Sequence, residues 1–182
     1  MLLDATEIEM ARRGFHATTT NHIAQAAGVS IGTLYHYFPT KEALVAAVVE
    51  RMWRGELEAF ARTAPRFAEG SLEAAILAAV EELARYVASK KDVYRTWFVE
   101  ASQLGDLQTG LGMSGQAAQF VRGALEAAGP RVRPRDLAFA SDLVVKTALA
   151  VLRTGARDYP DELANGALAK ELADMLCRYL LA

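Results

Sequence analysis

Two very short helical segments separated by a single glycine constrain the fold more than any other feature of the sequence. The segments span residues 20–27 and 31–38, and neither is long enough to form a core alone. Gly28 permits the left-handed backbone of a tight turn, and Ser30 is a favourable first residue for the second helix. Pro39 ends that helix. This order of helix, short turn and helix is the helix-turn-helix arrangement.

The rest of the chain shows helical patterns, and signals for β-strands are missing. Apolar residues do not alternate with period two, and no Asn-Gly or Asp-Gly turn joins β-branched runs. We therefore predict an all-α fold of about nine helices, with a mobile glycine-rich loop over residues 105–115. The helices are expected over residues 2–13, 20–27, 31–38, 41–64, 71–89, 92–104, 116–128, 135–157 and 161–181.

Composition favours a soluble cytoplasmic protein and leaves nucleic-acid binding open. The 182 residues are 52% hydrophobic and 23% charged, and no uncharged apolar run reaches the ~18 residues that a membrane-spanning helix needs. The only cysteine, Cys177, fits a reducing compartment. The net charge is −2, and residues 1–45 hold three basic and four acidic side chains, so no basic patch indicates DNA binding.

The segment over residues 31–38 is expected to have a packed face and an exposed face. At 100° per residue, one arc holds the residues that we expect to pack inward: Ile31, Leu34, Tyr35 and Phe38. The opposite arc holds Gly32, Thr33, His36 and Tyr37. This outer arc presents a hydroxyl, an imidazole and a phenol, and the glycine lets a partner approach the backbone closely.

Such a surface suits the major groove of DNA. The hydroxyl, imidazole and phenol can donate hydrogen bonds to phosphate oxygens or to base edges. The backbone N–H groups at the start of the helix over residues 20–27 offer a phosphate site that needs no side-chain charge. The structural alternative is a compact helical hairpin whose aromatic side chains are merely solvated.

The stretch TTNHIAQAAGVSIGTLYHYFPTKEAL, residues 19–44, resembles the DNA-binding segment of the TetR family of bacterial regulators. The shared features are the TT pair, I-A in the second helix, A-G-V-S, T-L-Y-x-Y-F and K-E-A-L. The resemblance extends more weakly to residue 1 through MLLDATEIEMARRGF. It implies a DNA-binding domain over residues 1–45 and a helical ligand-binding and dimerisation domain over residues 46–182.

The resemblance also implies which residues contact DNA. These are Thr20, Asn21, Ile31, Gly32, Thr33, Tyr35, His36, Tyr37 and Lys41. Ile31 departs from the family, in which a polar residue is frequent at this position. Any base readout by Ile31 would therefore be apolar, for example of a thymine methyl group.

An aromatic helix in the second half is the strongest candidate for a ligand site. Its aromatic and polar residues are Tyr94, Trp97, Phe98, Glu100 and Gln103. A carboxylate among aromatic rings could receive a cationic ligand, although aromatics at helical spacing are more often part of the core. The resemblance implies a pocket for a small apolar or aromatic molecule in this region, with Tyr86, Met113, Gln116 and Phe120 as further candidates.

The last two predicted helices, residues 135–157 and 161–181, are apolar over wide arcs. Such helices usually dock on the core of their own chain. The resemblance implies instead that they pair with their twins to form a homodimer through a four-helix interface.

No catalytic constellation is evident in the sequence. All three histidines lie within the first 36 residues, no glycine-rich phosphate loop is present, and no Cys/His spacing suits zinc. We therefore expect no enzymatic activity, no cofactor and no metal site. The resemblance implies a ligand-released repressor that binds a palindromic operator as a homodimer. The alternative is a helical small-molecule- or lipid-binding protein that does not bind DNA.

Overall fold

The computed structural model describes residues 1–68, 70–96 and 107–181, with the backbone alone described over residues 107–113. Within these ranges the chain forms ten α-helices and no strand, which confirms the predicted all-α fold. The helices are α1 (Leu2–Arg13), α2 (Thr20–Ala27), α3 (Ile31–Tyr37), α4 (Lys41–Ala61), α5 (Leu72–Ser89), α6 (Lys91–Thr96), α7 (Leu107–Ala128), α8 (Leu137–Asp158), α9 (Pro160–Asn165) and α10 (Ala167–Leu180). None of these helices is long and apolar enough to cross a membrane.

Short polar side chains fix the starts of four of these helices. Thr19, Ser30, Thr40 and Ser71 each precede a helix, and each hydroxyl oxygen accepts a hydrogen bond from the backbone N–H three residues later. The donor–acceptor distances are 3.2, 3.0, 3.0 and 3.1 Å, respectively. These bonds satisfy N–H groups that have no partner within their own helix.

Two predictions about the second half are wrong. The loop expected over residues 105–115 is helical from Leu107 onward, because α7 begins there and not at residue 116. Packing of α7 on α4 and α8 outweighs the low helix propensity of its glycines. The single helix expected over residues 161–181 is divided into α9 and α10, because Gly166 adopts a left-handed conformation with φ 81°.

Buried side chains form two separate clusters. The small cluster joins α1, α2, α3 and the start of α4, and its buried members are Ala5, Ile23, Ala24, Ala27, Leu34 and Leu44. The large cluster lies mainly among α4, α5, α7, α8 and α10. Helix α4 belongs to both clusters, since Leu44 is part of the first, and Val48 and Met52 are part of the second. A shift of α4 would therefore be felt in both.

A buried carboxylate also connects α1 to the rest of the molecule. Glu7 is buried and accepts hydrogen bonds from Arg51 of α4 and from Lys90, which directly precedes α6. The distance from Arg51 Nε to Glu7 Oε1 is 3.1 Å, and that from Lys90 Nζ to Glu7 Oε2 is 2.6 Å. Because a buried charge is costly without partners, these bonds hold α1 in a defined position against α4 and α6.

Candidate DNA-binding surface and ligand cavity

The orientation of α3 is fixed by its turn, its cap and one buried side chain. Gly28 ends α2 in the left-handed conformation, with φ 67° and ψ 29°. Its N–H donates to the carbonyl of Gln25 at 3.1 Å, which closes the end of α2. Ser30 then caps α3, and Leu34 at the centre of α3 is fully buried in the small cluster. Helix α3 is thus anchored from one side only.

The outward face of α3 carries the polar groups that the helical wheel predicts. Gly32, Thr33, His36 and Tyr37 are all exposed. Tyr37 is 65% exposed, and its ring lies edge-on to that of His36 with centroids 5.2 Å apart. Thr33 Oγ1 lies 2.9 Å from Ser30 Oγ. A hydroxyl, an imidazole and a phenol therefore share one solvent-facing surface.

The prediction that Ile31 and Tyr35 pack inward is wrong, because these side chains are 38% and 47% exposed. The core beneath α3 is small, and Leu34 with the half-buried Phe38 fills it. Tyr35 extends across the start of α2, where its hydroxyl lies 3.0 Å from Thr20 Oγ1. The exposed surface of α3 is consequently wider than the helical wheel indicated.

The first turn of α2 lies beside this hydroxyl pair. Thr20 is half-buried and Asn21 is exposed. His22 is part of the cap. Its Nδ1 accepts a hydrogen bond from the backbone N–H of Thr19 at 3.3 Å, and its backbone N–H donates to Thr19 Oγ1. The side chain of His22 therefore stabilises the start of α2.

Lys41 is less exposed than a simple surface cation. Its ammonium donates a hydrogen bond to the carbonyl of Phe15 and lies 4.2 Å from the centroid of the Phe15 ring. Burial lowers the pKa of this ammonium below its ordinary value. Lys41 thus ties the start of α4 to the segment between α1 and α2.

A cavity of about 310 Å³ lies among the helices of the large cluster. Its wall is formed by α4, α5, α7, α8 and α10, together with Phe67 of a short 3₁₀ turn. Most of this wall is apolar, and representative residues are Leu57, Phe60, Ile76, Val121, Leu149 and Leu176. The volume lies at the lower end of the ~300–1,000 Å³ range of ligand pockets.

A buried ion pair forms part of the cavity wall. Glu56 of α4 accepts hydrogen bonds from Arg153 of α8 through Nε at 2.8 Å and through Nη2, and from the hydroxyl of Tyr94 at 2.7 Å. Burial opposes the charge on Arg153, but Glu56 outweighs this effect and raises the pKa of the guanidinium. Burial, reinforced by Glu56, raises the pKa of the Tyr94 phenol. Carboxylate and guanidinium therefore neutralise each other.

Trp53 is the other polar side chain of note in this wall. Its indole Nε1 is buried and has no hydrogen-bond partner among the residues that the structure describes. A tryptophan N–H can only donate, so this donor lacks the acceptor that it needs.

The structure brings together few of the predicted ligand-binding residues. Trp97, Phe98, Glu100 and Gln103 lie outside the described residues, as does the side chain of Met113. The four that are described do not line the cavity: Tyr86, Tyr94, Gln116 and Phe120. Tyr94 supports the wall through Glu56, and Phe120 packs edge-on against Phe60 and Phe67, which do line it.

Tyr86 and Gln116 lie elsewhere. Tyr86 donates a hydrogen bond to the carbonyl of Met52 at 3.1 Å, and burial raises its pKa to about 12. Gln116 is exposed on α7.

Sequence reasoning missed three of the polar residues of the cavity wall, Trp53, Glu56 and Arg153. One signal was present, because Glu56 falls four residues after Met52 on the buried face of α4. A carboxylate on a buried stripe requires a partner, and that partner had to be sought elsewhere in the chain. Its identity could not be inferred, since Arg153 lies 97 residues away. Among the described residues, no group of three or more His, Cys, Asp or Glu side chains could hold a metal ion.

Comparison with known proteins identifies the class of protein. Residues 2–48 match the family model described as bacterial regulatory proteins of the tetR family, and residues 71–180 match the tetracyclin repressor-like C-terminal domain. The second match alone covers more than half of the chain. The chain belongs to the TetR family of bacterial regulatory proteins.

Individual relatives match over parts of their length. The transcriptional regulator RutR of Escherichia coli is 36% identical over 106 residues, which cover 57% of this chain and 43% of RutR. The transcriptional repressor KstR2 of Rhodococcus jostii is 50% identical over 44 residues, or 24% of this chain and 22% of KstR2. The chain thus spans less than half the length of these curated relatives.

Solved structures show the same fold over nearly the whole chain. The TetR-family regulator PfmR from Thermus thermophilus has a TM-score of 0.74 at 20% identity, covering 97% of each chain. FadR from Bacillus subtilis, in complex with stearoyl-CoA, has a TM-score of 0.72 at 18% identity and covers 98% of this chain and 97% of its own.

Proposed function

We propose that the chain is a transcriptional regulator that binds double-stranded operator DNA through α3 and the start of α2. The observation that carries the proposal is the one-sided anchoring of α3, where only Leu34 is fully buried and Thr33, His36 and Tyr37 face solvent. Such a helix can enter the major groove without unfolding any part of the core. The proposed DNA contacts are Thr20, Asn21, Ile31, Gly32, Thr33, Tyr35, His36, Tyr37 and Lys41.

Two of these contacts have a second role within the protein. Tyr35 is close to Thr20, so that a phosphate oxygen at this point would meet two hydroxyl groups. Lys41 donates a hydrogen bond to the carbonyl of Phe15, but an ammonium has three N–H donors and can donate to a phosphate oxygen as well. We propose that Lys41 acts as a positioned cation at the edge of the interface and not as a freely moving one.

We further propose a homodimer through α8 and α10, within residues 135–157 and 161–181. Large apolar side chains on these helices are exposed, notably Phe139 at 62%, together with Leu143, Met175 and Tyr179. Burying them against the same helices of a second copy would remove them from water. A two-fold dimer would also present two α3 helices to half-sites about 34–36 Å apart in a palindromic operator.

The cavity is proposed to hold the ligand that releases the protein from DNA. FadR, which shares the fold, binds stearoyl-CoA in its solved structure, and this supports a ligand role for the second half of the chain. Helix α4 starts beside α3 and supplies Trp53, Glu56 and Leu57 to the cavity wall. A ligand that moves α4 would therefore change the spacing of the two α3 helices. We therefore propose that the protein is a cytoplasmic repressor that leaves its operator when the ligand binds.

DNA binding is tested by gel shift with duplex DNA from upstream of the protein's own gene. Tyr37→Ala and Thr33→Ala remove exposed groups, so each should weaken operator binding at least tenfold while the helical circular dichroism spectrum and the dimer remain intact. Arg122→Ala, which changes an exposed residue of α7, is the matched control and should bind normally. Normal binding by the two α3 variants would exclude α3 as the reading helix.

The dimer is tested by sedimentation equilibrium. Phe139→Glu places a charge within the proposed interface and should shift the protein to monomers with an unchanged helical spectrum. Arg122→Glu is the control, because it changes a charge on the exposed face of α7, outside the proposed interface. The alternative function, a small-molecule- or lipid-binding protein without DNA binding, is favoured if the wild-type dimer forms and no duplex is shifted.

A further inference from the structure

We propose that the cavity takes an uncharged, mainly apolar molecule with one hydrogen-bond acceptor, and that this acceptor is read by the indole N–H of Trp53. The inference rests on the proposed function, since it names the chemical class of the regulatory ligand. Ketones, esters, ethers and amides of small apolar skeletons belong to this class, whereas pure hydrocarbons and carboxylates do not.

The buried donor is the first observation behind this inference. Trp53 lines the cavity, and its Nε1 is buried with no partner in the described part of the chain. A buried donor without an acceptor destabilises the protein, and structures rarely keep one without a reason. An acceptor atom on a bound molecule would supply the missing hydrogen bond once the indole turns its N–H toward the open part of the cavity. The free energy of binding would then include the relief of this penalty less the cost of that turn.

The charges of the wall are the second observation. The two oxygens of Glu56 accept three hydrogen bonds from Arg153 and Tyr94, and the guanidinium compensates the charge of the carboxylate. Lys146, also in the wall, is exposed, and its Nζ lies 2.7 Å from Oδ2 of Asp142 on the preceding turn of α8. A charged ligand would lose its hydration without gaining an uncompensated opposite charge from these groups, and burial of such a charge is strongly unfavourable.

The apolar part of the wall determines the size and polarity of the ligand's skeleton. Side chains such as Leu57, Phe60, Ile76 and Val121 offer only carbon surfaces. The volume of about 310 Å³ favours a small molecule, because pockets for larger ligands extend to ~1,000 Å³. Apolar area therefore supplies most of the affinity, and the single acceptor supplies the discrimination.

The experiment uses two matched sets of probes with the chain of residues 1–182. The first set is 4-phenyl-2-butanone, butylbenzene and 3-phenylpropanoate, and the second is 2-heptanone, heptane and hexanoate. Each set keeps the skeleton and changes one group from ketone to methylene or to carboxylate. Binding of the neutral probes is measured by headspace gas chromatography and that of the acids by equilibrium dialysis.

The decisive quantity is the ratio of ketone to hydrocarbon affinity in wild type and in Trp53→Phe. This double comparison cancels the different solubilities of the two probes. The ratio should fall about tenfold in Trp53→Phe, because the variant keeps an aromatic ring and removes the donor. The smaller ring affects the ketone and the hydrocarbon alike, so its effect cancels in the ratio. Tyr86→Phe removes a hydroxyl that donates to Met52 and does not line the cavity, so it should leave the ratio unchanged.

Three results would overturn the inference. These are an unchanged ratio in Trp53→Phe, tighter binding of the carboxylates than of the matching ketones, and failure of both ketones to bind up to their solubility limits. A melting curve for each variant shows that it is folded. Gel shifts of ligand-free protein test the proposed function separately. If the protein binds no DNA but shows the predicted selectivity among the probes, the proposed regulatory function is rejected and the proposed ligand class is kept.

Discussion

The outward face of α3 and the cavity differ in how far apart their residues lie in the chain. The proposed DNA-binding surface comes from residues 20–41, whereas the cavity wall draws on residues from Trp53 to Leu180. Turns, caps and one helical face determine the first, and all of these are local properties of the sequence. The second depends on which helices meet, so its chemistry emerges only from the assembled fold.

The two regions also use polar groups differently. On α3, polar side chains such as Thr33 and Tyr37 face water, where a missing partner costs little. In the cavity wall, the side chains of Glu56 and Arg153 are 4% and 19% exposed, and they depend on each other. Loss of one group should therefore be tolerated by the fold at α3 and poorly tolerated in the cavity wall.

The largest effect is expected from Arg153→Met. This substitution leaves Glu56 buried without its guanidinium, and breaking a buried pair in this way costs about 3–5 kcal/mol of the free energy of unfolding. Urea denaturation followed by circular dichroism measures the loss. Arg153→Met combined with Glu56→Gln should recover part of it, because the uncompensated charge is gone.

Arg122→Met is the matched control for that comparison. Arg122 forms an ion pair with Glu126 at 2.8 Å, but both side chains are exposed on α7. Surface pairs of this kind contribute little, so the urea midpoint should stay near that of wild type. Similar midpoints for the two arginine variants would mean that the pair between Glu56 and Arg153 is hydrated in solution and does not hold α4 to α8.

A smaller loss is expected from Gly28→Ala in the turn before α3. A Cβ at this position meets no other atom within 4 Å, so the cost arises from the backbone conformation alone, with φ at 67°. A left-handed conformation costs an alanine about 1–2 kcal/mol. Urea denaturation is again the measurement, and gel shift should show weaker operator binding as the angle between α2 and α3 changes.

Gly123→Ala provides the opposite case within α7. Its Cβ would also meet open space, but the helical backbone there suits alanine, so the variant should gain about 0.5–1 kcal/mol. Loss in the first variant and gain in the second would separate backbone strain from side-chain contacts. Destabilisation by both would show that α7 does not persist as a helix around Gly123 in solution.

These contrasts explain how much of the molecule could be predicted from the sequence. The helix starts at Ser30 and Thr40, the turn at Gly28 and the buried Leu34 follow from local rules, and the structure has all four. The prediction that Tyr35 packs inward was wrong, because a helical wheel gives the direction of a side chain and not the depth of the core below the helix. Only the position of Leu34 relative to the small residues of α2 decides that depth.

Prediction was weakest where tertiary packing overrides local preference. The glycines near the start of α7 indicated a loop, yet contacts with α4 and α8 support a helix from Leu107. The aromatic residues near position 94 drew attention as a ligand site, but Tyr94 serves the cavity indirectly, through Glu56. Pairings such as Glu56 with Arg153 have no local signature, so the chemistry of the cavity could not be anticipated.

Two helix caps test whether local rules act equally in both regions. Thr19→Ala and Ser71→Ala each remove the hydroxyl that caps a helix, α2 in the first region and α5 in the second. Each should cost about 1 kcal/mol in urea denaturation, because one N–H loses its acceptor. Thr154→Ala removes a hydroxyl that bonds only within α8 and should change stability by less.

The two cap variants should then differ in function although they agree in stability. Thr19 starts the helix that carries Thr20 and Asn21, whereas Ser71 starts a helix that lines the cavity. Gel shifts should therefore show weaker operator binding for Thr19→Ala, and probe binding by headspace chromatography should weaken only for Ser71→Ala. Equal effects of both variants on DNA binding would mean that helix starts in the two regions are energetically coupled. The shared helix α4 would then transmit a local loss of stability as readily as the effect of a bound ligand.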